Sequence, residues 1–417
     1  MRSFNQFFLL KNKEIKIIAI YAITFLASLI IVKLFFKEDL FEASNFLYWD
    51  AEHYNYIQKF RYEDYRVAFF PLLPLVWKYL SLNVYGIVAF NSITFLVCFW
   101  ILIREFKFSH KEILICLTIP SLIFFYLPFS ESLFFLGSTI ILIGLKNRKL
   151  YLLLTGLFLS SLTRPAFLIF IPALILTEIF APEQKIPYQR RIGFLMMALL
   201  TMALGTLLVA YIQYLDTGEW FKFLGVQKGW GNHLQIPKLP LTSWAGGYIV
   251  RLDGSAFFVG SAAGIFTLLW LIKVKFLSKI EMPKEVFFSL AYIGGITLSV
   301  LIFRGGSLFS LNRFVFATAF MVIAFHFFYN SLPAFNSRQL FFIFLGIMIF
   351  FIILFQSWSH IQTFLKFLFL SFYVFLPFTL KSKVKWVSQA GFMLLLLLNI
   401  FFLLSLYLRF LDGGWIA

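Results

Sequence analysis

The chain reads as an all-α, polytopic helical membrane protein with about 13 transmembrane spans (roughly 11–13). Three observations carry that reading. Hydrophobic residues make up 61% of the 417 positions and charged residues 13%, more apolar surface than a water-soluble fold can cover, so lipid is the solvent for most of it. The apolar runs are continuous over roughly twenty residues rather than alternating, which excludes an outer-membrane barrel. Lys and Arg gather in alternate loops, as the positive-inside rule requires.

The elements follow in order. The N-terminal "MRSFNQFFLLKNKEIK" is basic and leads into an apolar run over 15–36. That run is longer than the core of a signal peptide and lacks a small-residue cleavage site, so it reads as a retained signal anchor with a cytoplasmic N-terminus. Residues 37–83 form the first external loop, in which "AFFPLLPLVWKYLSL" (68–82) is too short and too proline-rich to span and reads as an interfacial or re-entrant helix. Apolar segments follow at 84–103, 112–127 and 131–145. The short pair 150–163 and 166–180 reads as dipping partway and turning at Thr163-Arg164-Pro165, where proline favours a helix start. A span at 192–215 leads to a long external loop, 216–255, and then to spans at 256–272, 286–303, 314–329, 340–356, 362–380 and 386–408.

The loops placed inside ("REFKFSHK", "KNRK", "PEQKIPYQRR", "KVKFLSKIEMPKE", "NSRQ", "KSKVK") and the N-terminus hold 21 of the 36 Lys and Arg. The net charge of +17 is therefore a topology signal, and no nucleic-acid partner is expected. Without linkers or internal repeats, residues 1–417 read as a single transmembrane domain, and the inverted repeats of many transporters are not supported. Cys98 and Cys116 sit in apolar runs and imply neither a disulfide nor a metal site. There is no Walker loop, no GxGxxG after a strand, no DxD and no His or Cys cluster. No cofactor or metal is expected.

On this topology the unusual polar side chains fall outside. Asp50, Glu52 and His53 lie in "YWDAEHYNY", and Glu131 follows Pro128-Phe129-Ser130 at the outer end of a span beside the turn that carries Arg164. Gln227 and Trp230 lie in "FLGVQKGWGNH", and Arg304 and Arg313 in "FRGGSLFSLNR". Charges at membrane depth are costly and usually mark function, so these outward stretches point to one composite outer cavity.

Each residue also has a plainer explanation. Asp50 can be a solvated loop carboxylate; if 46–60 is helical, however, Asp50, His53, Tyr54 and Ile57 share a face. Tyr48 and Trp49 would anchor that helix at the interface, where the carboxylate can accept a proton from a hydroxyl. His53 can orient Asp50, bind substrate or be a passive surface histidine, and Glu52 points elsewhere. Ser130 can cap a helix with Glu131 at its positive end, an account as good as a substrate role. Arg164 can snorkel or pair with a carboxylate. Arg313 opens an apolar helix, where a cation opposes the dipole and an anionic partner such as phosphate is called for. Trp230 can stack on a sugar and Gln227 hydrogen-bond to one, or Trp230 can be an interfacial anchor.

The stretch "YWDAEHYNYI…VAFFPLLP" resembles the WDAxHY…AFFPxxP signature of PIG-V-like mannosyltransferases, multi-spanning enzymes of the GT-C glycosyltransferase class. "IPSLIFFYLPFSESLFF" is similar to the family's P…YSESLF segment, and "SSLTRPAFLIFIP" to its R…P helix. "TGEWFKFLGVQKGWG" resembles a loop of the bacterial members, and "SLNRFVFATAF" and "RFLDGGWIA" follow in order. WDAEHY is specific; the later motifs are individually weak.

The resemblance implies a GT-C-like fold in a bacterial inner membrane and inverting transfer of a sugar, typically mannose. The donor is a polyprenyl-phosphate sugar, and transfer takes place on the non-cytoplasmic face. The acceptor hydroxyl belongs to a glycan, glycolipid or protein. Asp50 would be the general base, with Arg313, Arg164 and His53 placed for the departing phosphate. Two other classes stay open: a lipid-linked glycan transporter, and a non-catalytic subunit of a membrane glycosylation complex.

Overall fold

Apolar side chains facing lipid leave the backbone no solvent to bond with, so each run adopts the local structure that pairs its own N–H and C=O groups. The computed structural model describes residues 2–35, 38–180, 187–229, 231–243, 249–276 and 282–416. Among these, helices account for the regular structure, with two isolated parallel bridges, Thr242 to Ser307 and Phe335 to Ser382.

The first part of the chain forms α1 (Arg2–Phe35), α2 (Asp50–Phe60), α3 (Leu72–Tyr79), α4 (Val84–Phe106), α5 (His110–Thr118) and α6 (Glu131–Lys146). Then come α7 (Leu150–Ser161), α8 (Phe170–Phe180), α9 (Tyr188–Thr217), α10 (Lys222–Gly229) and α11 (Ile249–Phe276). The last part forms α12 (Lys284–Phe303), α13 (Leu311–Phe316), α14 (Ala319–Ser331), α15 (Ser337–Phe355), α16 (Ile361–Thr379) and α17 (Lys385–Leu411).

The protein is thus an all-helical membrane protein. By length and composition, eight helices among the described residues can cross a bilayer: α1, α4, α9, α11, α12, α15, α16 and α17. A ninth forms if the 3-10 segment Pro120–Tyr126 and α6, bent by 106° at their junction, count as one. One segment expected to span is broken, and the pair expected to dip only partway is short, each for a local reason. The run 112–127 breaks at Ile119, which precedes Pro120 and takes an extended conformation (φ −52°, ψ 127°), so α5 stops at Thr118. Helix α7, with 12 residues, is about 18 Å long, well short of a hydrocarbon core of about 30 Å. Pro165 opens a 3-10 turn (Pro165–Ile169) before α8, as its position predicts. The segment between α1 and α4 holds the short α2 and α3; the helical run expected over 46–60 begins only at Asp50.

Two close approaches set the frame around the site. Helices α6 and α7 pack together where a Cβ on Gly156 would meet Gly137 O at 2.7 Å and Ile141 N at 2.8 Å; small residues permit such backbone contact in lipid. The segment 231–242 runs as a strap along the end of α12. Gln235 N donates to Ile302 O (2.9 Å), Lys238 N to Gly305 O (3.1 Å) and Thr242 N to Gly306 O (3.2 Å). Gly306 has φ +97°, and a Cβ there would meet Lys238 O at 2.6 Å, so the glycine next to Arg304-Gly305 serves the strap. The core between α4, α6, α8 and α12 is largely phenylalanine, with Phe95, Phe125, Phe134, Phe135 and Phe170 fully buried.

Candidate functional site

Four of the residues singled out in the sequence meet in one chain of alternating charge. Asp50 opens α2, Glu131 opens α6, Arg164 precedes Pro165, and Arg313 lies in α13. Arg313 donates through Nη1 to Asp50 Oδ2 (2.6 Å) and through Nε to Glu131 Oε1. Arg164 Nη2 lies 2.8 Å from the same Glu131 oxygen. Side-chain exposure is 14% for Asp50, 9% for Arg313, 0% for Glu131 and 7% for Arg164. The chain therefore opens outward at Asp50 and closes inward at Glu131.

Local structure explains each placement. Arg164 is extended (φ −168°, ψ 157°) because it precedes proline. Helix α13 is short because Thr318 starts a new helix, its side chain accepting from Met321 N at 3.3 Å. Burial alone would depress the Arg313 guanidinium; Asp50 and Glu131 more than reverse this and hold it above its ordinary range. The two guanidiniums also lie against rings, Arg313 over Phe129 (5.0 Å) and Phe124 (5.4 Å), Arg164 over Phe134 (4.9 Å).

The site keeps unused capacity. Glu131 Oε2 and the Arg164 nitrogens are buried without a hydrogen-bond partner, since the 2.8 Å Arg164–Glu131 contact is an ion pair without hydrogen-bond geometry. Asp50 Oδ1 has no hydrogen-bond partner among the described residues. Among the described residues, one oxygen of Asp50 is thus left over while Arg313 holds the other.

The other expectations divide. Arg313 does have anionic partners, but they are two carboxylates of the chain itself. Ser130 does not cap α6: its hydroxyl accepts from Tyr54 OH (3.0 Å), and no side-chain cap bond forms. His53 lies one turn after Asp50, packed against Phe69 (4.7 Å) and Tyr65 (5.5 Å), with Nδ1 buried and unpartnered. Burial lowers its pKa below the ordinary 6.5 in spite of Asp50 and Glu52. It is a neutral ring beside the site, with no hydrogen bond orienting Asp50. Gln227 turns to a different chain of contacts: its Oε1 accepts from Asn232 Nδ2 (2.7 Å), and Asn232 Oδ1 accepts from Arg304 Nε (3.0 Å). Trp230 lies outside the described residues.

Three contributions to the site are not legible in the sequence: Asp253, Asn312 and the bond from Tyr54. Asp253 is fully buried and accepts from Asn312 N (3.0 Å), Asn312 Nδ2 (2.7 Å) and Ser243 Oγ (2.6 Å). Asn312 Oδ1 in turn accepts from Ser121 Oγ (3.1 Å), so the residue before Arg313 is pinned from two helical segments. An acid close to an apolar helix is the available signal; it is masked because α11 starts at Ile249, earlier than the apolar run.

Near this network lies an apolar cleft of about 570 Å³, whose lining includes Ile119, Pro120, Ser255, Phe258, Phe266 and Lys381. Pro120 adjoins Ser121, so the cleft begins next to the support of Arg313. Among the described residues no group of His, Cys, Asp or Glu is arranged to hold a metal ion. Comparison with known protein families, curated proteins and solved structures finds no match for the chain.

Proposed function

We propose that this protein is an inverting, PIG-V-like glycosyltransferase of the GT-C class. It moves a sugar, mannose by resemblance, from a polyprenyl phosphate to an acceptor hydroxyl on the non-cytoplasmic face of a bacterial inner membrane. The observation that supports it most is the chain Asp50–Arg313–Glu131–Arg164. Its members come from the four stretches "WDAEHY", "FSES", "LTRP" and "SLNR", each of which resembles the family. On this reading the shorter apolar helices complete about 13 passes.

In the reaction, Asp50 takes the proton of the acceptor hydroxyl, whose oxygen bonds to the anomeric carbon as the bond from that carbon to the lipid phosphate breaks. The departing phosphate carries the electron pair and needs cations. Arg313 is the pivot. Held at 2.6 Å from Asp50, it occupies one of the two carboxylate oxygens. An incoming phosphate, held also by Arg164, competes for the same guanidinium, so that donor binding frees that oxygen of Asp50 for the acceptor hydroxyl. The acceptor is a glycan, glycolipid or protein. The cleft gives the prenyl chain an apolar path beside the charged cluster.

The test is transfer by the purified protein in lipid, using polyprenyl-phosphate mannose and membrane-derived acceptors. Asp50→Asn should lower turnover by about 100-fold or more. Full activity in that variant would remove Asp50 from its role. Donor-independent movement of lipid-linked sugar in proteoliposomes, without transfer, would favour the transporter instead.

A further inference from the structure

Two non-glycine residues with left-handed backbone flank the site, and each stands just ahead of a helix that carries a charged site residue. Trp49 (φ 59°) precedes Asp50 at the start of α2, and Ser310 (φ 62°) precedes α13, which holds Arg313. Neither helix has a side-chain cap at that position. Such conformations are disfavoured for residues with a Cβ and persist only where their surroundings over-determine them, most often at functional sites.

One segment touches the start of each helix. Trp49 Nε1 donates to Gly413 O (3.1 Å), 364 residues further along the chain. The Trp49 and Trp415 indoles meet edge to face at 4.9 Å. On its other side Trp415 stacks on Phe309 at 5.2 Å, with ring planes 13° apart, and Phe309 immediately precedes Ser310. Arg304 lies over the Phe309 ring at 5.0 Å and donates to the Phe309 carbonyl. The segment is tied down to the end of α17, Gly414 N donating to Arg409 O and Arg409 Nε to Trp415 O, both at 2.8 Å. Ile416 beyond it is buried.

We propose that Trp415 is a positioning residue: an aromatic wedge that braces the N-terminal ends of α2 and α13 at once and so sets the placement of Asp50 against Arg313. It acts through Trp49 and Phe309 and does not itself reach the reacting atoms. The geometric part stands alone; only its kinetic consequence rests on the transferase reading.

Amide hydrogen exchange by mass spectrometry on the full-length protein in lipid tests the geometry without any assay of activity. In Trp415→Ala, peptides covering 48–54 and 309–316 should exchange about tenfold faster while peptides within 131–145 stay unchanged. Trp49→Phe, which loses the indole bond to Gly413 but keeps a ring against Trp415, should speed the same two segments by a smaller factor. Trp415→Phe, which keeps a ring in the wedge, should restore most of the protection. In the transfer assay, Trp415→Ala should lower kcat about tenfold with the donor KM within about twofold, and Trp415→Phe should recover it. If Trp415→Ala does not fold, Trp49→Phe and Trp415→Phe decide the matter by exchange alone. Wild-type exchange in both segments of Trp415→Ala and Trp49→Phe, or acceleration spread evenly through 131–145, would overturn the wedge. Absence of transfer in the wild type, with the two segments still loosening together in the variants, would overturn the transferase reading and leave the wedge standing.

Discussion

Glu131 separates what the charge chain does for stability from what it does for chemistry. It sits between two guanidiniums with no exposed side-chain surface, whereas Asp50 lies at the outer end with 14% of its side chain exposed. Removing one partner of a buried ion pair leaves uncompensated charge behind and costs about 3–5 kcal/mol. Glu131→Gln strips the central carboxylate from both Arg164 and Arg313 and should carry a penalty of that size. Asp50→Asn retains an oxygen acceptor at a position that water can reach, so its penalty should be clearly smaller. Thermal unfolding of the two purified variants side by side checks the order. Equal melting temperatures would mean that burial does not rank the members of this chain. The expected pattern is a stable, inactive Asp50 variant and an unstable Glu131 variant.

Among the helices, α6 and α7 carry the geometry: Glu131 opens the first, and Arg164 stands three residues past the end of the second. Their spacing depends on Gly156, whose Cβ position is occupied by the backbone of Gly137 and Ile141. Gly156→Val must push the two helices apart, since the obstructing atoms are backbone, at a cost of about 1–3 kcal/mol or more. A lowered melting temperature with reduced transfer is the expected result, and wild-type behaviour in both would contradict the close packing. The same elements mark how far a sequence of this kind can be read. Continuous apolar runs define the helical class, and the placement of unusual charges at the ends of those runs and in the loops between them picks out Asp50, Glu131, Arg164 and Arg313. Their mutual pairing is hidden, because Arg313 and Asp50 are 263 residues apart and no local pattern encodes a tertiary ion pair. Seen without its carboxylates, Arg313 calls for a phosphate. The break at Pro120, the early start of α11 that conceals Asp253, and the left-handed turn at Trp49 are departures from periodicity, so a reading built on periodicity passes over them. Gln227 shares only a loop with the site, and proximity in a loop fixes no partner.

At the scale of the molecule, everything functional depends on which side of the membrane the charge chain faces. On the topology expected from the sequence, Lys and Arg concentrate in the loops on the side opposite Asp50, with Arg338 in one of them, and cytoplasmic loops carry that excess in membrane proteins generally. A polyprenyl-phosphate sugar used on the outer face requires this orientation; a cytoplasmic site would meet soluble donors instead. Glu52, exposed on α2 beside Asp50, and Arg338, exposed at the start of α15, would report on the two sides of that topology. The two native cysteines, Cys98 and Cys116, are buried, so single cysteines introduced as Glu52→Cys and Arg338→Cys can be read against a quiet background. A membrane-impermeant maleimide applied to intact cells with an opened outer layer should label the first and not the second, and permeabilising the inner membrane should expose the second. The reverse pattern would turn Asp50 and its arginines toward the cytoplasm. Donor binding from the outer leaflet, and with it the release of Asp50 by Arg313, would then have no physical route.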